Sequence, residues 1–114
     1  MDPLTSYRFK IKAVLSDYAA FVKRTTTANE IDTLCLFDEE HDTYMVYRVG
    51  WDRSQRVRTT SILIRIVDGK VWLEEDWTPI EVAHQLREKG IPPDAISLGF
   101  IHPAIREEAT TAVA

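Results

Sequence analysis

VRTTSILIRIVDGKVWLEE, residues 57–75, holds the pattern that decides the fold. Polarity repeats with a period of two from Val57 to Val67 and again from Lys70 to Glu75, which is the repeat of a β-strand and not of a helix. Asp68-Gly69 lies between these runs and tolerates the positive φ angles that a two-residue type I′ turn demands. The stretch reads as a β-hairpin. Upstream, the same period runs through Thr43 to Trp51 and through Ile31 to Asp38. Glu39 to Asp42 and Asp52 to Arg56 connect these runs and are short enough for hairpins, whereas parallel neighbours need crossovers of about a dozen residues or more. An antiparallel meander of four strands follows.

On either side of the meander the period changes to 3.6. Leu4, Tyr7, Ile11, Val14, Leu15, Tyr18 and Val22 line one face of a helix over residues 3–23, with Asp2 able to cap it and Pro3 suited to its first turn. A heptad seam through Leu4, Ile11 and Tyr18 with Tyr7, Val14 and Phe21 fits a coiled coil, but its brevity and aromatic content favour a helix lying on the sheet. Downstream, Thr78-Pro79-Ile80-Glu81 has the form of a capping box, and Gly90 marks the end of a helix that turns Ile80, Val82, Ala83 and Leu86 inward. GIPPDAISLGF, residues 90–100, then gives a proline-braced turn and a short apolar segment, and His102-Pro103 opens a last helical stretch. The predicted class is α+β: an N-terminal helix packed on a four-stranded antiparallel sheet, followed by two short C-terminal helical segments, in a single domain over residues 1–114.

Composition narrows the functional classes. A chain of 114 residues with 45% hydrophobic and 28% charged residues matches a soluble globular domain, and folding at this length hides roughly two thirds of the unfolded surface. Its net charge of −4 disfavours a dedicated, highly basic nucleic-acid binder. Cys35 is the only cysteine, so neither a disulfide framework nor a thiolate cluster for zinc is available, as expected of a protein in a reducing cytoplasm. The start, MDPLTSYRFKIK, carries too many charges for a signal segment, and no apolar run reaches the ~18 residues of a membrane span. We therefore expect a soluble cytoplasmic protein with no membrane contact. Eleven aromatic residues and the apolar seam of the first helix suggest leftover apolar surface, hence a homodimer or higher homo-oligomer.

Catalytic and metal-binding patterns are scarce. His41, His84 and His102 are too scattered for a local metal motif, and the isolated glycines leave no phosphate-cradling loop, so no cofactor or metal is expected. Asp52 followed by Asp68-x-Lys70 imitates the carboxylates and lysine of metal-dependent nucleases, yet Asp68 belongs to the hairpin turn. The acidic clusters Asp38-Glu39-Glu40-His41-Asp42 and Glu74-Glu75-Asp76 suit a cation or a basic partner, or ordinary solvated loops. Residues 43–66 carry five arginines, Arg48, Arg53, Arg56, Arg58 and Arg65, against the single acid Asp52, a local charge of +4. With Tyr44, Tyr47 and Trp51 interleaved, this ribbon could contact a nucleic-acid backbone or an acidic protein surface, or simply protect a sheet edge.

VGW at 49–51, Arg56-Val57, ILIRIVDGKVWLEED at 62–76, GIPPDAISLGF at 90–100, His102-Pro103, Arg106 and the terminal AVA together resemble the XisI family, the fdxN element excision controlling factors. The resemblance spans nearly the whole chain. It departs from the family pattern at Glu75-Asp76, where Gln-x-Asp is usual, and at residues 107–111, where an aromatic-rich end is usual. What the resemblance implies is an accessory, non-enzymatic regulatory or adaptor subunit controlling programmed DNA excision in cyanobacteria. The partners implied are a site-specific recombinase and an XisH-like protein of nuclease-like character. It implies no catalytic residues. Trp51, Asp68, Gly69, Lys70, Trp72, Gly90, Pro92, Leu98 and Phe100 coincide with the family pattern and read as fold determinants. His102, Arg106 and Arg56 are polar positions in the same pattern, and with Arg48, Arg53 and Arg58 they make up the candidate surface for a protein partner or DNA. The competing readings are an immunity-type inhibitor of a nuclease-like partner and a metal-dependent nuclease.

Overall fold

The Asp68-Gly69 turn forms as the sequence predicts. Both residues take positive φ, 51° and 77°, and Val67 pairs with Lys70 across the turn. A computed structural model describes residues 2–26 and 30–105 of the chain. Strands β1 (Ile31–Asp38), β2 (Thr43–Asp52), β3 (Gln55–Val67) and β4 (Lys70–Asp76) pair in sequence order, every neighbour antiparallel. The expected four-stranded sheet gains a fifth member. β5 (Ile96–Leu98) pairs parallel with β4, so the sheet is mixed and the segment expected to be only a braced turn contributes a strand. Residues 77–95, including helix α2 (Val82–Glu88), supply the long crossover that a parallel neighbour requires.

Helix α1 (Pro3–Thr25) begins where predicted, with Asp2 Oδ1 accepting from the Thr5 amide at 2.9 Å. Ile11, Val14, Leu15 and Ala19 are buried against the sheet, while Phe21 is half exposed. The heptad seam is therefore unused, and the helix lies on the sheet. The capping box at Thr78 does not form. Glu81 adopts left-handed geometry (φ 56°, ψ 77°), and the cap comes from Asp76 at the end of β4. Its Oδ2 accepts from the Val82 amide at 2.8 Å, and its Oδ1 accepts from the Thr78 amide at 2.9 Å and hydroxyl at 2.6 Å. A carboxylate out-competes a hydroxyl as acceptor, so the threonine becomes a donor and the helix starts at Val82. The final helical stretch begins at Pro103, and its continuation lies outside the described residues.

α1 packs on β1 and β2, α2 packs on β4, and the two helices touch, so both cover one face of the sheet. Tyr44, Val46, Ile62, Ile64, Val71 and Leu73 point into that layer and are fully or almost fully buried. The first pair of strands meets closely at Gly50: a Cβ there would sit 1.9 Å from the Glu30 carbonyl oxygen, which accepts the Trp51 amide at 2.9 Å. Only glycine lets the chain enter β1 so near β2.

Asp42, in the β1–β2 turn, ties the helix to the sheet. Its carboxylate accepts two hydrogen bonds from Arg8 of α1, at 2.7 and 3.1 Å, and a third from the buried Tyr44 hydroxyl at 2.8 Å. Lys12 pairs with Glu39 beside it. The Arg8 hydrogen bond holds the Asp42 carboxyl below its ordinary 3.8, with Tyr44 reinforcing it against partial burial. A depressed folded-state pKa means that this contribution is present above about pH 4 and fades as pH falls through the lowered value. We expect Asp42→Asn to cost about 1–2 kcal/mol in urea unfolding at pH 7. That difference from wild type should shrink as the pH is lowered below about 4.

Candidate partner interface

The register of β1–β3 sorts the arginine ribbon onto two faces. Tyr44 and Val46 point into the core, so Arg48, two residues further along β2, points the same way toward α1. It is half-buried, and its Nε is buried without a hydrogen-bond partner among the described residues. The expectation that Arg48 joins the other arginines, and Tyr44 the interleaved aromatics, is thereby corrected; strand parity sends both inward. Trp51, Arg56 and Arg58 lie on the opposite, helix-free face. Arg56 stands directly across from Trp51, with its guanidinium carbon 5.4 Å from the ring centroid, and donates to the Gly50 carbonyl at 3.4 Å. Arg58 lies across from Val49, exposed and without an ion-pair partner among the described residues. Arg53 occupies the two-residue β2–β3 turn with φ 58°, also exposed. Arg65 is engaged with Glu74 at 2.8 Å. The ribbon tip therefore carries Arg53, Arg56 and Arg58 together, next to a flat aromatic ring.

The other candidates do not converge with this tip. His102 is exposed, and its Nδ1 accepts from the Ala104 amide at 3.1 Å; Arg106 lies outside the described residues. Asp52 ends β2 at the ribbon tip, whereas Asp68 lies in the β3–β4 turn and Lys70 begins β4, at the opposite end of β3. Their nuclease-like spacing in sequence thus has no counterpart in space. Asp38, Glu40 and His41 bring one donor atom each within 4.8 Å of one another, all exposed. His41 hydrogen bonds, first the side-chain and then the backbone one, hold the Asp38 carboxyl below its ordinary value. A cleft of about 380 Å³ between α2 and the β4–β5 edge is lined by Asp76, Glu81, His84 and Phe100, among others. Sequence reasoning missed it. Its polar groups have structural duties: Asp76 caps α2, while His84 lies 3.1 Å from Arg87 and 3.4 Å from Glu88 on its own helix. No helix of the described residues is long and apolar enough to cross a membrane.

The XisI protein family model matches residues 1–113. The chain belongs to the XisI family. Among solved structures, an XisI-like protein from Anabaena variabilis is 28% identical with a TM-score of 0.85, covering 92% of this chain and 94% of that one. The fdxN element excision controlling factor XisI from the same organism is 32% identical with a TM-score of 0.77, covering 92% and 99%. No curated protein matched in sequence.

Placed in this fold, the XisI pattern divides into turn-formers and exposed side chains. Gly90 (φ 102°) ends α2, Pro92 precedes the 3-10 turn that leads to β5, and Leu98 is buried. Trp51 and Phe100, by contrast, are 48% and 54% exposed, so these two residues, expected as fold determinants, are surface aromatics that contribute little to the core. Trp72 pairs with Arg65 on β3 and Ser97 on β5, on the helix-free face. The sequence did hold a signal for that face: Leu34 and Leu36 are apolar in β1 although their alternates Cys35 and Phe37 already fill the core side.

The two kinds of arginine separate in unfolding experiments. Arg48→Met removes a buried, unpartnered Nε while keeping the packing stem, so stability should stay unchanged or rise by up to ~1 kcal/mol. Arg58→Met, at an exposed position, should change urea stability by less than about 0.5 kcal/mol.

Proposed function

We propose that this chain is an accessory controlling factor for excision of a DNA element, acting as a non-enzymatic subunit that binds and does not cut. The observation that carries the reading is the family match over residues 1–113, joined to 32% identity over 92% of the chain with an fdxN element excision controlling factor. A binding role is supported by the exposed cationic tip. Arg56 and Arg58 stand two residues apart on β3, about 7 Å and within a Debye length of about 8 Å, and Arg53 lies in the adjoining turn, so their fields add at an anionic surface brought against the tip. Trp51 beside Arg56 adds a stacking surface, a combination suited to a nucleic-acid backbone with exposed bases or to an acidic protein. The partners that fit are a site-specific recombinase, an XisH-like protein and the DNA they act on. The exposed His102 is the alternative contact point toward the C-terminal end, with Arg106 its companion in the sequence.

The test measures binding of a labelled DNA duplex from the element boundary, and separately of the XisH-like protein, by fluorescence anisotropy. Wild type should bind at least one of them at low salt, and Arg53→Ala with Arg56→Ala should weaken that binding by roughly tenfold, with a smaller difference at high salt. Unchanged affinity in a folded double variant would overturn the arginine tip as the contact. Divalent-metal-dependent DNA cleavage that tracks the purified protein and disappears in Asp52→Ala or Asp68→Ala would overturn the non-enzymatic reading.

A further inference from the structure

We infer that the helix-free face of the sheet is the seat of a second copy of this chain, packed face to face about a two-fold axis that runs along β2. Among the described residues no helix covers this face. Its centre is apolar. Leu34, Tyr47 and Thr60 form one cross-strand row, and Leu36, Met45 and Leu63 form the next. Leu34 and Leu36 are 40% and 47% exposed, and none of the six is buried. With the axis along β2 the strands that superpose are β1, β2 and β3, and three strands at about 4.8 Å with eight residues at about 3.4 Å give a projected overlap on the order of 400 Å². A pleated surface exceeds its projection, but the overlap stays below the ~800 Å² per partner of a standard interface, so the pairing belongs to the weak, concentration-dependent class and charge complementarity sets its register.

Charge complementarity identifies the occupant. The rows that flank the apolar centre are Asp32–Val49–Arg58 at one end and Asp38–Thr43–Arg65 at the other. In both rows the acid sits on β1, the arginine on β3, and an uncharged residue on β2 between them. Rotating a copy by half a turn about an axis parallel to β2 exchanges the β1 and β3 sides. Each acid then faces an arginine of the partner, at the ~10 Å separation of packed sheets that long side chains span. The other two-fold in the plane, perpendicular to the strands, would set Asp32 over Asp38 and Arg58 over Arg65, placing like charges together. Only the first arrangement is self-complementary. At the Asp32–Arg58 end neither group has an ion-pair partner among the described residues, whereas Asp38 and Arg65 already engage His41 and Glu74. The free pair therefore sets the register. Because the axis parallels β2, both ribbon tips project from the same end, so Arg53 and Arg56 of the two copies lie at one end of the dimer while Arg58 is engaged by the partner's Asp32.

The inference is independent of the excision role, since its readout is the mass of the protein alone. Light scattering or sedimentation at low salt, up to about 100 µM, should give twice the 13.1 kDa chain mass. Met45→Glu, at the apolar centre, should leave a folded monomer; if that variant fails to fold, Leu36→Lys on the edge strand serves in its place. Asp32→Arg alone and Arg58→Asp alone should each weaken dimerisation by about tenfold or more, and the two together should restore it to within about threefold of wild type. A monomer throughout the concentration range would overturn the proposal, as would one that pairs only when DNA or another protein is added. A dimer indifferent to Met45→Glu or Leu36→Lys would place the interface elsewhere. Loss in both single reversals without recovery in the double would overturn the proposed axis.

Discussion

Ile11 and Leu15 of α1 and Val82 and Leu86 of α2 meet Val46, Ile62, Ile64 and Leu73 on a single face of the sheet, and this one-sided burial organises the molecule. Burying these side chains is the principal source of stability, at about 1.5–3 kcal/mol for each large aliphatic group before conformational entropy is counted. It also settles the position of everything polar. Asp42 sits where the β1–β2 turn passes Arg8, and Asp76 sits where β4 hands over to α2, so each carboxylate fastens one helix at the rim of the shared core.

The same burial leaves the opposite face unused by the helices. A strand has only two faces, so each residue alternate to a core position must be displayed: Leu34, Leu36, Met45 and Tyr47 are on the surface because Thr33, Cys35, Tyr44 and Val46 are turned to the helices. That geometry is what the proposed binding role rests on. Family membership directs attention to excision control, and the structure offers a broad apolar face ending in an aromatic and cationic tip.

Much of this was legible in the chain itself. Asp68-Gly69 specifies a two-residue turn, Asp2-Pro3 specifies a helix start, and the period of two is sustained long enough in β1 to β4 to read without coordinates. β5 was not legible, because three residues are too few to display a period and its pairing depends on a crossover far along the chain. The cap of α2 was misread because the acceptor, Asp76, lies six residues before the amide it serves, while a local Thr78-x-x-Glu81 pattern offered a nearer answer. Arg48 was grouped with its neighbours by linear spacing, whereas its position relative to Tyr44 and Val46 governs its direction. The acid and arginine rows were invisible for a related reason: they exist only once the Glu39–Asp42 loop fixes Asp38 against Thr43 and the bulge at Val46/Tyr47 fixes Arg58 against Val49.

Hydroxyl-radical footprinting in dilute solution tests the one-sided packing most directly, because it reads side-chain exposure on both faces at once. Met45, Tyr47, Trp51 and Trp72 should be oxidised readily, while Tyr44, fully buried on the same strand as the first three, should be protected. Comparable oxidation of Tyr44 and Tyr47, or protection of the whole set at concentrations too low for any association, would contradict a sheet covered on one face and open on the other.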